Sequence, residues 1–343
     1  MFAGLLEKLQ AREDLTRDEA AAAMARIMDG EAAPAQIAGL LVALRLKGER
    51  PHEIVGFAST MRDRAVRLAR AYPDAVDTCG TGGDGARTFN ISSVVAVVVA
   101  ACGVKVAKHG NRSISSRSGS ADVFDALGVN VAAPPAVIER CLTEANLAVF
   151  FAPTFHPAMR HAGPVRRDLG IRTAFNLLGP LTNPAGARRQ IVGVPRPELT
   201  ELVARALVQL GTERAWVVHG ADGLDEISTG GYTKVSEACR GCVRTFYIHP
   251  SEFGVPTSTP GALAGGDAQA NAAITRRILD GARGPTRDIV LLNAGAALLV
   301  AGVVETVADG IGRAASAIDT GAAADRLARL VALSHGPAEE VVA

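Results

Sequence analysis

Three groups of polar residues in this sequence have side chains that could bind phosphate groups and metal ions. The glycine-rich stretch 80–85 reads GTGGDG, the stretch 108–120 combines a lysine and two arginines with five serines, and Asp225 and Glu226 are adjacent acids. Glycine-rich turns present backbone N–H groups to anions, cationic side chains bind phosphate oxygens, and Mg²⁺ prefers carboxylate and phosphate oxygens. Together the three groups predict a site for a phosphorylated ligand and a divalent metal.

The glycine-rich stretch 80–85 also satisfies the dinucleotide-binding pattern G-x-G-x-x-G letter for letter. That pattern requires an acidic residue about 20 positions later to bind the ribose hydroxyls, but the next acid after Asp84 is Asp122. No Gly-Lys-Ser/Thr follows, so the stretch is not a P-loop either. An anion-binding turn before a helix is the favoured interpretation, and an ordinary glycine-rich turn is the alternative.

Three further patterns are open to both a functional and a structural interpretation. The run 88–93, TFNISS, begins a helix with hydroxyl and amide side chains that either cap the helix or bind phosphate. Residues 156–184 mix cationic and apolar side chains, which suits either an aromatic carboxylate or a connection between lobes. Cys239 and Cys242 lack the second ligand pair of a zinc site, so we expect two reduced thiols.

The length and charge of the chain restrict its class. A chain of 343 residues favours about two lobes, and a 48% hydrophobic composition fits a folded globular protein. The 36 basic and 35 acidic residues give a net charge of +1, which provides no bulk field to attract a nucleic acid. The longest nearly uninterrupted apolar run, 94–104, is shorter than the ~20 residues that cross a bilayer. We therefore expect a cytoplasmic protein with no membrane segment and no secretory signal.

The elements that must position these residues fall into two regions. The first seventy residues show helical patterns only: Thr16 and Glu19 match a capping box, and Pro34 and Pro51 suit the first turns of two later helices. From residue 75 short apolar runs alternate with helical segments, as in a parallel sheet covered on both faces. The predicted strands are AVDTC, VKVA, LAVFF, QIVGV and RAWVVH, the predicted antiparallel edge is TKVSEACRGCVRTFYIH, and helices are predicted at 89–102, 120–127, 134–145, 155–168, 197–210 and beyond 268.

Four long motifs resemble the anthranilate phosphoribosyltransferase family. They are DTCGTGGDGARTFNIS, KHGNRSISSRSGSADVFDALG, HPAMRHAGPVRRDLGIRTAFNLLGPLTNP and HGADGLDEIS, and the likeness runs in order over essentially the whole chain. The resemblance implies an α/β fold of the nucleoside phosphorylase/phosphoribosyltransferase type, with a small helical N-terminal lobe and a large lobe whose central sheet is mostly parallel. The expected domains are 1–70, joined by helices from about 166–185, and 74–343.

The resemblance also implies roles for individual residues. The donor, phosphoribosyl pyrophosphate (PRPP), would be bound by Gly80, Gly83, Asp84, Thr88, Asn90, Ile91, Ser92, Ser93, Lys108, His109, Gly110, Asn111, Arg112, Ser113, Ile114, Ser115, Ser116 and Ser120. Anthranilate would be positioned by Gly80, Asn111, Arg166, His109, His156, Gly179 and Pro180. Two Mg²⁺ ions would be held by Ser92, Asp225 and Glu226.

The implied reaction transfers the phosphoribosyl group of PRPP to the amine of anthranilate, in tryptophan biosynthesis. No Ser-His-Asp or Cys-His arrangement is apparent, which fits a direct displacement without a catalytic nucleophile, and His109 is a candidate proton acceptor. A homodimer and a functional link to a separate anthranilate synthase are further expectations. The alternatives are a pyrimidine nucleoside phosphorylase and a non-catalytic nucleic-acid-binding relative of the same fold, the latter disfavoured by the net charge of +1.

Overall fold

A computed structural model describes residues 1–113 and 117–337 of the chain. The N-terminal region consists of four helices: α1 (Phe2–Gln10), α2 (Arg17–Met28), α3 (Pro34–Lys47) and α4 (Pro51–Asp63). The predicted capping box is present, because Thr16 Oγ1 accepts from Glu19 N at 3.1 Å and the Glu19 carboxylate accepts from Thr16 N at 2.8 Å. Pro34 and Pro51 begin their helices, as predicted.

A seven-stranded sheet forms the centre of the large lobe, with the strand order β3-β2-β1-β4-β5-β6-β7. The strands are β1 (Val76–Gly80), β2 (Val106–Gly110), β3 (Leu147–Phe151), β4 (Arg189–Gly193), β5 (Arg214–Gly220), β6 (Thr233–Cys239) and β7 (Cys242–Ile248). The first five strands are parallel, and β6 and β7 add an antiparallel edge. Both the strands predicted from the sequence and the change of direction at the edge are confirmed.

Helices cover the sheet and bury its apolar strands. In chain order they are α5 (Ile91–Ala101), α6 (Ser120–Ala126), α7 (Pro135–Glu144), α8 (Ala152–Phe155), α9 (Gly163–Leu169), α10 (Phe175–Leu178), α11 (Leu199–Gln209), α12 (Ala268–Leu279), α13 (Pro285–Ala301), α14 (Val307–Asp319) and α15 (Ala322–Ser334). The most apolar helices, α5 and α13, pack on each other and against β1, and almost every residue in them is buried. The fold is therefore the two-part α/β arrangement expected from the sequence.

The single helix predicted over residues 155–168 is wrong. The structure has α8, a 3-10 turn at Pro157–His161 and α9 in its place. His156 leaves the helical conformation with φ −125° and ψ 60°. Pro157 and Pro164 explain the break, because proline lacks the N–H that a helix interior needs and is accepted only in a first turn.

The N-terminal helices share a buried apolar cluster with part of the later chain. Residues of α1–α4 pack in this cluster with Ala162, Val165 and residues 174–181, and the cluster continues into α11 and the face of β5. A separate cluster fills the space between the other face of the sheet and the C-terminal helices. The segment 162–181 thus stands between the helical region and the strand ends that carry the polar motifs.

The reversal of strand order places those motifs together. The chain passes from β1 to β2 on one side, whereas β4 lies on the other side of β1, with Gly80 paired to Gly193 at the carboxyl ends. Ligands in open α/β sheets collect at such a switch point. The glycine-rich stretch leaves the sheet at this position.

The close packing of α2 on α4 yields a stability prediction. A Cβ at Gly56 would lie 2.3 Å from the backbone oxygen of Arg17 and 2.8 Å from the Cβ of Ala20. We expect Gly56→Ala to lower the melting temperature, because overpacking costs ~1–3 kcal/mol while the gain in helix propensity is ~1 kcal/mol. Gly39→Ala is the matched control, since its Cβ would meet only Leu6 at 3.5 Å. Equal melting temperatures for the two variants would contradict this packing.

Candidate active site

Two acidic side chains connect the glycine-rich stretch to the start of α5. Asp225 Oδ2 accepts a hydrogen bond from Gly82 N at 2.9 Å, and Glu226 Oε1 accepts one from Ser92 N at 3.1 Å. Both acids lie in the loop after β5, and both are partly exposed. The structure therefore brings the two acids to a stretch of chain that precedes them by more than 130 residues.

Two glycines at strand ends allow the loop that carries the acids to lie close to the sheet. A Cβ at Gly80 would lie 2.7 Å from Asp225 Oδ2, and a Cβ at Gly193 would lie 1.5 Å from the backbone oxygen of Asp225. Real Cβ atoms do not reach such distances, so only glycine fits at the end of β4, where the contact is with backbone, and a side chain at the end of β1 would displace the Asp225 carboxylate. The loop that carries the acids thus lies directly over the switch point of the sheet.

The protein environment disfavours the ionised forms of Asp225 and Glu226. Burial raises the pKa of Asp225 to about 7, with further increases from the charge and hydrogen bond of Asp84. Burial also raises the pKa of Glu226 to about 8, helped by the charge of Asp225, while Lys108 opposes the change. Crowded carboxylates of this kind are stabilised by a divalent cation.

The donor set fits a magnesium ion that is completed by its substrate. Carboxylate and hydroxyl oxygens are the ligands that Mg²⁺ prefers, and Asp225, Glu226 and Ser92 supply them. In residues 1–113 and 117–337, no three His, Cys, Asp or Glu side chains form a metal-binding group by themselves. Mg²⁺ keeps several non-protein ligands when it binds phosphates, so the remaining ligands are expected from phosphate oxygens and water.

Lys108 and His109 belong to β2, which continues to Gly110, whereas the sequence predicted that this strand ends at Ala107 before the cationic stretch. Lys108 is only 1% exposed, and its Nζ donates to the backbone oxygen of Thr78 and to Ser92 Oγ at 3.2 Å. Burial lowers the pKa of Lys108, whereas the charges of Asp77 and Glu226 oppose the shift. The lysine therefore acts from beneath the site, as an internal cation next to the acids.

Sequence reasoning missed the buried polar group that supports β2. Asp77 is fully buried, and its carboxylate accepts from His109 N at 3.2 Å and from Asn183 Nδ2 at 2.8 Å. Asn183 Nδ2 also donates to the backbone oxygen of Ala107 at 2.7 Å. Burial raises the pKa of Asp77, and the charge of Lys108 opposes that shift. The available signal was an acid inside the apolar strand VDTC.

Two neutral histidines, His109 and His156, lie next to the buried Asp77–Asn183 group and together form the histidine corner. His109 Nδ1 lies 3.0 Å from the oxygen of Gly179, and His156 Nε2 lies 3.0 Å from the oxygen of Thr182. Carbonyl oxygens only accept, so these two nitrogens carry the hydrogens. The rings stand 5.1 Å apart, and burial lowers the pKa of His109 to about 3 and that of His156 to about 4.

The bare ring nitrogens of this corner are unused acceptors. His109 Nε2 and His156 Nδ1 are buried and have no hydrogen-bond partner in the described part of the chain. Buried acceptors without partners are costly and frequently mark places where a ligand binds. The corner is therefore able to accept a hydrogen bond from a donor on an aromatic ligand.

Arg166 supplies a cation near the same segment. Its guanidinium lies 5.3 Å from the ring centre of Phe175, and burial lowers its pKa. Phe175 begins α10, which leads directly to Gly179 and Pro180, where the carbonyl of Gly179 contacts His109. Arg166 forms no ion pair with an acid among the residues that the structure describes, which leaves its charge available for a carboxylate.

The rest of the predicted donor-binding stretch is only partly arranged around the acids. The Arg112 guanidinium is bound to Asp122 at 2.9 Å and to Asp125 at 3.1 Å. Ser113 N donates to Asp122 at 2.9 Å, and Ser120 Oγ would lie 2.1 Å from a Cβ at Gly110. The predicted residues Ile114, Ser115 and Ser116 lie outside the described residues.

The remaining predicted residues lie along the glycine-rich stretch and the beginning of α5. Gly83 is exposed and Asp84 partly exposed, Thr88 forms an isolated bridge with Ala264, and Asn90 accepts from Asn271 at 2.9 Å. Ile91 and Ser93 are buried, and Asn111 accepts from the backbone of Arg112 at 2.8 Å.

The fold and this site define a glycosyl transferase with two parts. The family model described as glycosyl transferase family, helical bundle domain, matches residues 3–65, and the one described as glycosyl transferase family, a/b domain, matches residues 72–324. A protein of Moorella thermoacetica named anthranilate phosphoribosyltransferase is 55% identical, over 97% of this chain and 98% of that protein. A protein of Thermomicrobium roseum with the same name is 53% identical, over 100% of this chain and 99% of its own length.

Solved structures of proteins with the same name also superpose closely on this chain. The anthranilate phosphoribosyltransferase of Thermus thermophilus superposes with a TM-score of 0.90 at 44% identity, covering 97% of this chain and 99% of that chain. The Saccharomyces cerevisiae enzyme in complex with PRPP and Mg superposes with a TM-score of 0.88 at 26% identity, covering 97% of both chains. The chain belongs to the anthranilate phosphoribosyltransferase family.

The raised pKa values of the acids generate a prediction about metal affinity. Asp225 and Glu226, with pKa values of about 7 and 8, are largely protonated below pH 6.5 and must lose protons before they bind a metal. The dissociation constant for Mn²⁺, measured without substrate by electron paramagnetic resonance, should fall about tenfold or more between pH 6 and pH 8.5. A dissociation constant that stays constant over this range would show that these acids are already ionised.

Proposed function

We propose that the site at the carboxyl ends of β1, β2 and β4 catalyses the reaction of this family. The phosphoribosyl group of PRPP is transferred to the amine of anthranilate, which gives N-(5-phosphoribosyl)anthranilate and pyrophosphate in the second step from chorismate to tryptophan. The observation that carries the proposal is the pair of acids bound to Gly82 N and Ser92 N. It combines a metal-binding carboxylate pair with two phosphate-binding backbone elements.

The donor occupies the space between the glycine-rich stretch and the start of α5. Backbone N–H groups of residues 80–85 and the hydroxyl of Ser92 face anionic oxygens at a helix N-terminus, where the helix dipole also favours negative charge. The buried Ser93 belongs to the same first turn and supports it from the inside. Lys108 adds a fixed positive charge from below. Asn90, Asn111, Arg112 and Ser120 extend these contacts along the donor.

Magnesium acts on the pyrophosphate end of this donor. The yeast relative was solved with PRPP and Mg, which supports magnesium here. We assign two ions to the site, held by Ser92, Asp225 and Glu226 together with donor oxygens. When bound, the metal stabilises the negative charge that develops on the departing pyrophosphate.

Anthranilate lies in the corner formed by His109, His156 and Gly179-Pro180, with its carboxylate towards Arg166. The yeast relative was also solved with 4-fluoroanthranilate, which supports an aromatic acceptor. Neutral histidines suit a neutral aromatic amine, because neither imidazole is protonated near neutral pH. The bare Nε2 of His109 accepts one N–H of the amine.

The reaction is a displacement at C1 of the ribose. The amine nitrogen forms a bond to C1 while the bond from C1 to the pyrophosphate oxygen breaks, and the nitrogen then loses one proton. No covalent intermediate with the chain is required, so positioning and charge stabilisation account for the rate. An arylammonium proton is acidic, so His109 Nε2 or water is a sufficient acceptor.

The relatives reported above are anthranilate phosphoribosyltransferases, which favours this reaction over phosphorolysis of a nucleoside or binding of a nucleic acid. No described helix is long and apolar enough to cross a membrane. A homodimer and a functional link to a separate anthranilate synthase remain part of the proposal on the strength of the resemblance, and a cytoplasmic location remains part of it on the strength of the sequence patterns.

The acids provide the test of this function. Asp225→Asn combined with Glu226→Gln should reduce PRPP-dependent consumption of anthranilate, followed by fluorescence with Mg²⁺, by about a hundredfold or more, because the charge that binds metal is lost. Glu201→Gln on the surface of α11 is the control and should retain full activity. Activity of the double variant that is equal to the control, or survival of activity under full chelation, would refute the proposed metal site.

The histidine corner gives a second prediction. His109→Phe keeps a ring but removes both the Nε2 acceptor and the Nδ1–H bond to the oxygen of Gly179, so kcat/KM for anthranilate should fall at least about tenfold, the scale of one hydrogen bond, while the KM for PRPP stays within twofold. In the unmodified protein the pH profile of kcat/KM should show no inflection from His109 between pH 5 and pH 8, because its pKa is about 3. His335→Phe at the surface is the control. An unchanged kcat/KM in His109→Phe would exclude contact with the amine.

A further inference from the structure

A single peptide group in the glycine-rich stretch is held from both sides by opposite charges. Arg172 Nη2 donates to the backbone oxygen of Thr81 at 3.1 Å, and Asp225 Oδ2 accepts from Gly82 N at 2.9 Å. The oxygen of Thr81 and the N–H of Gly82 belong to the same peptide bond. Its orientation is therefore fixed jointly by an arginine in the segment 162–181 and a proposed metal ligand in the loop after β5.

The Arg172 guanidinium also occupies the space into which a side chain at position 83 would project. Gly83 has a φ of +83°, and a Cβ there would lie 1.7 Å from Arg172 Nη1. The guanidinium thus lies against the backbone of Gly83. The left-handed conformation favours glycine at this position, and a larger residue would displace the guanidinium.

The charges around Arg172 link it to the metal-binding acids. Burial lowers the pKa of the Arg172 guanidinium, as do the charges of Arg196 and Arg45, while the charges of Asp225 and Asp84 oppose that shift. Arg172 in turn stabilises the ionised form of Asp225. A cation at this place compensates the acids when no metal is bound, and it opposes the arrival of a metal ion by repulsion.

The guanidinium also has donors to spare. Its hydrogen bond to Thr81 is the one that it makes within residues 1–113 and 117–337, and the side chain is partly exposed. An arginine presents five N–H donors in a fixed fork that suits phosphate oxygens. The free donors lie beside the backbone N–H groups that are proposed to bind the donor pyrophosphate.

We propose that Arg172 is a positioning residue that holds the Thr81–Gly82 peptide for donor binding and acts as counter-charge to Asp225 until the metal-bound donor arrives. The inference rests on the proposed function, because it takes Asp225 as a metal ligand and the glycine-rich stretch as the donor site. Removal of the positive charge of Arg172 therefore strengthens binding of a metal ion without donor, while loss of its contact with the Thr81–Gly82 peptide weakens binding of PRPP.

The test measures these two effects separately. In Arg172→Gln at pH 8.5, where Asp225 and Glu226 are largely ionised and proton competition is small, the dissociation constant for Mn²⁺ alone, measured by electron paramagnetic resonance, should fall about fivefold, the scale of a partly screened interaction between charges. The KM for PRPP at saturating Mg²⁺ should rise about tenfold, and the KM for anthranilate should stay within twofold. Arg172→Lys keeps the charge, so its affinity for Mn²⁺ should equal that of the unmodified protein, although its KM for PRPP rises.

The control is Arg167→Gln, an exposed arginine of α9 whose loss should change none of the three constants. Weaker Mn²⁺ binding in Arg172→Gln, or a parallel worsening of all three constants with a lower melting temperature, would reduce Arg172 to a structural residue and overturn the inference. If the unmodified protein consumes no anthranilate, the proposed function fails. The Mn²⁺ comparison would then still decide whether Arg172 and Asp225 are coupled.

Discussion

The electrostatic crowding of Asp84, Asp225 and Glu226 is the interaction on which the rest of the site depends. Burial raises the pKa values of Asp225 and Glu226 to about 7 and 8, so these side chains hold protons unless cations neutralise them. Lys108 from below and Arg172 from the side provide part of that neutralisation. A divalent metal bound to the anionic donor supplies the rest of the positive charge. The charges of metal, donor and protein therefore stabilise one another.

The framework beneath the site keeps these charges in place. Gly80 and Gly193 allow the acidic loop to lie on the strand ends, because any larger residue would collide with Asp225. Asp77 and Asn183 tie β1, β2 and the loop before β4 together through buried hydrogen bonds. The buried contacts of the sheet thereby fix the positions of the charged side chains in the site.

The sequence was sufficient for the periodic and local features of this fold. Apolar runs predicted the strands, and the Thr16–Glu19 pattern predicted a helix start that the structure contains. It failed at 155–168, where prolines interrupt an otherwise helical pattern, and at Lys108, a buried strand residue whose charge is favoured by acids from distant segments. The roles of Asp77 and Arg172 were missed for the same reason, since each is defined by partners far away along the chain.

The most direct test of this account is a crystal structure with PRPP and Mn²⁺, in which the metal is located by its anomalous scattering. The account predicts anomalous peaks within coordination distance, ~2.0–2.3 Å, of carboxylate oxygens of Asp225 and Glu226 and of oxygens of the donor pyrophosphate, with Lys108 still bound beneath Ser92. Peaks at other residues, with the two carboxylates free of metal, would contradict it.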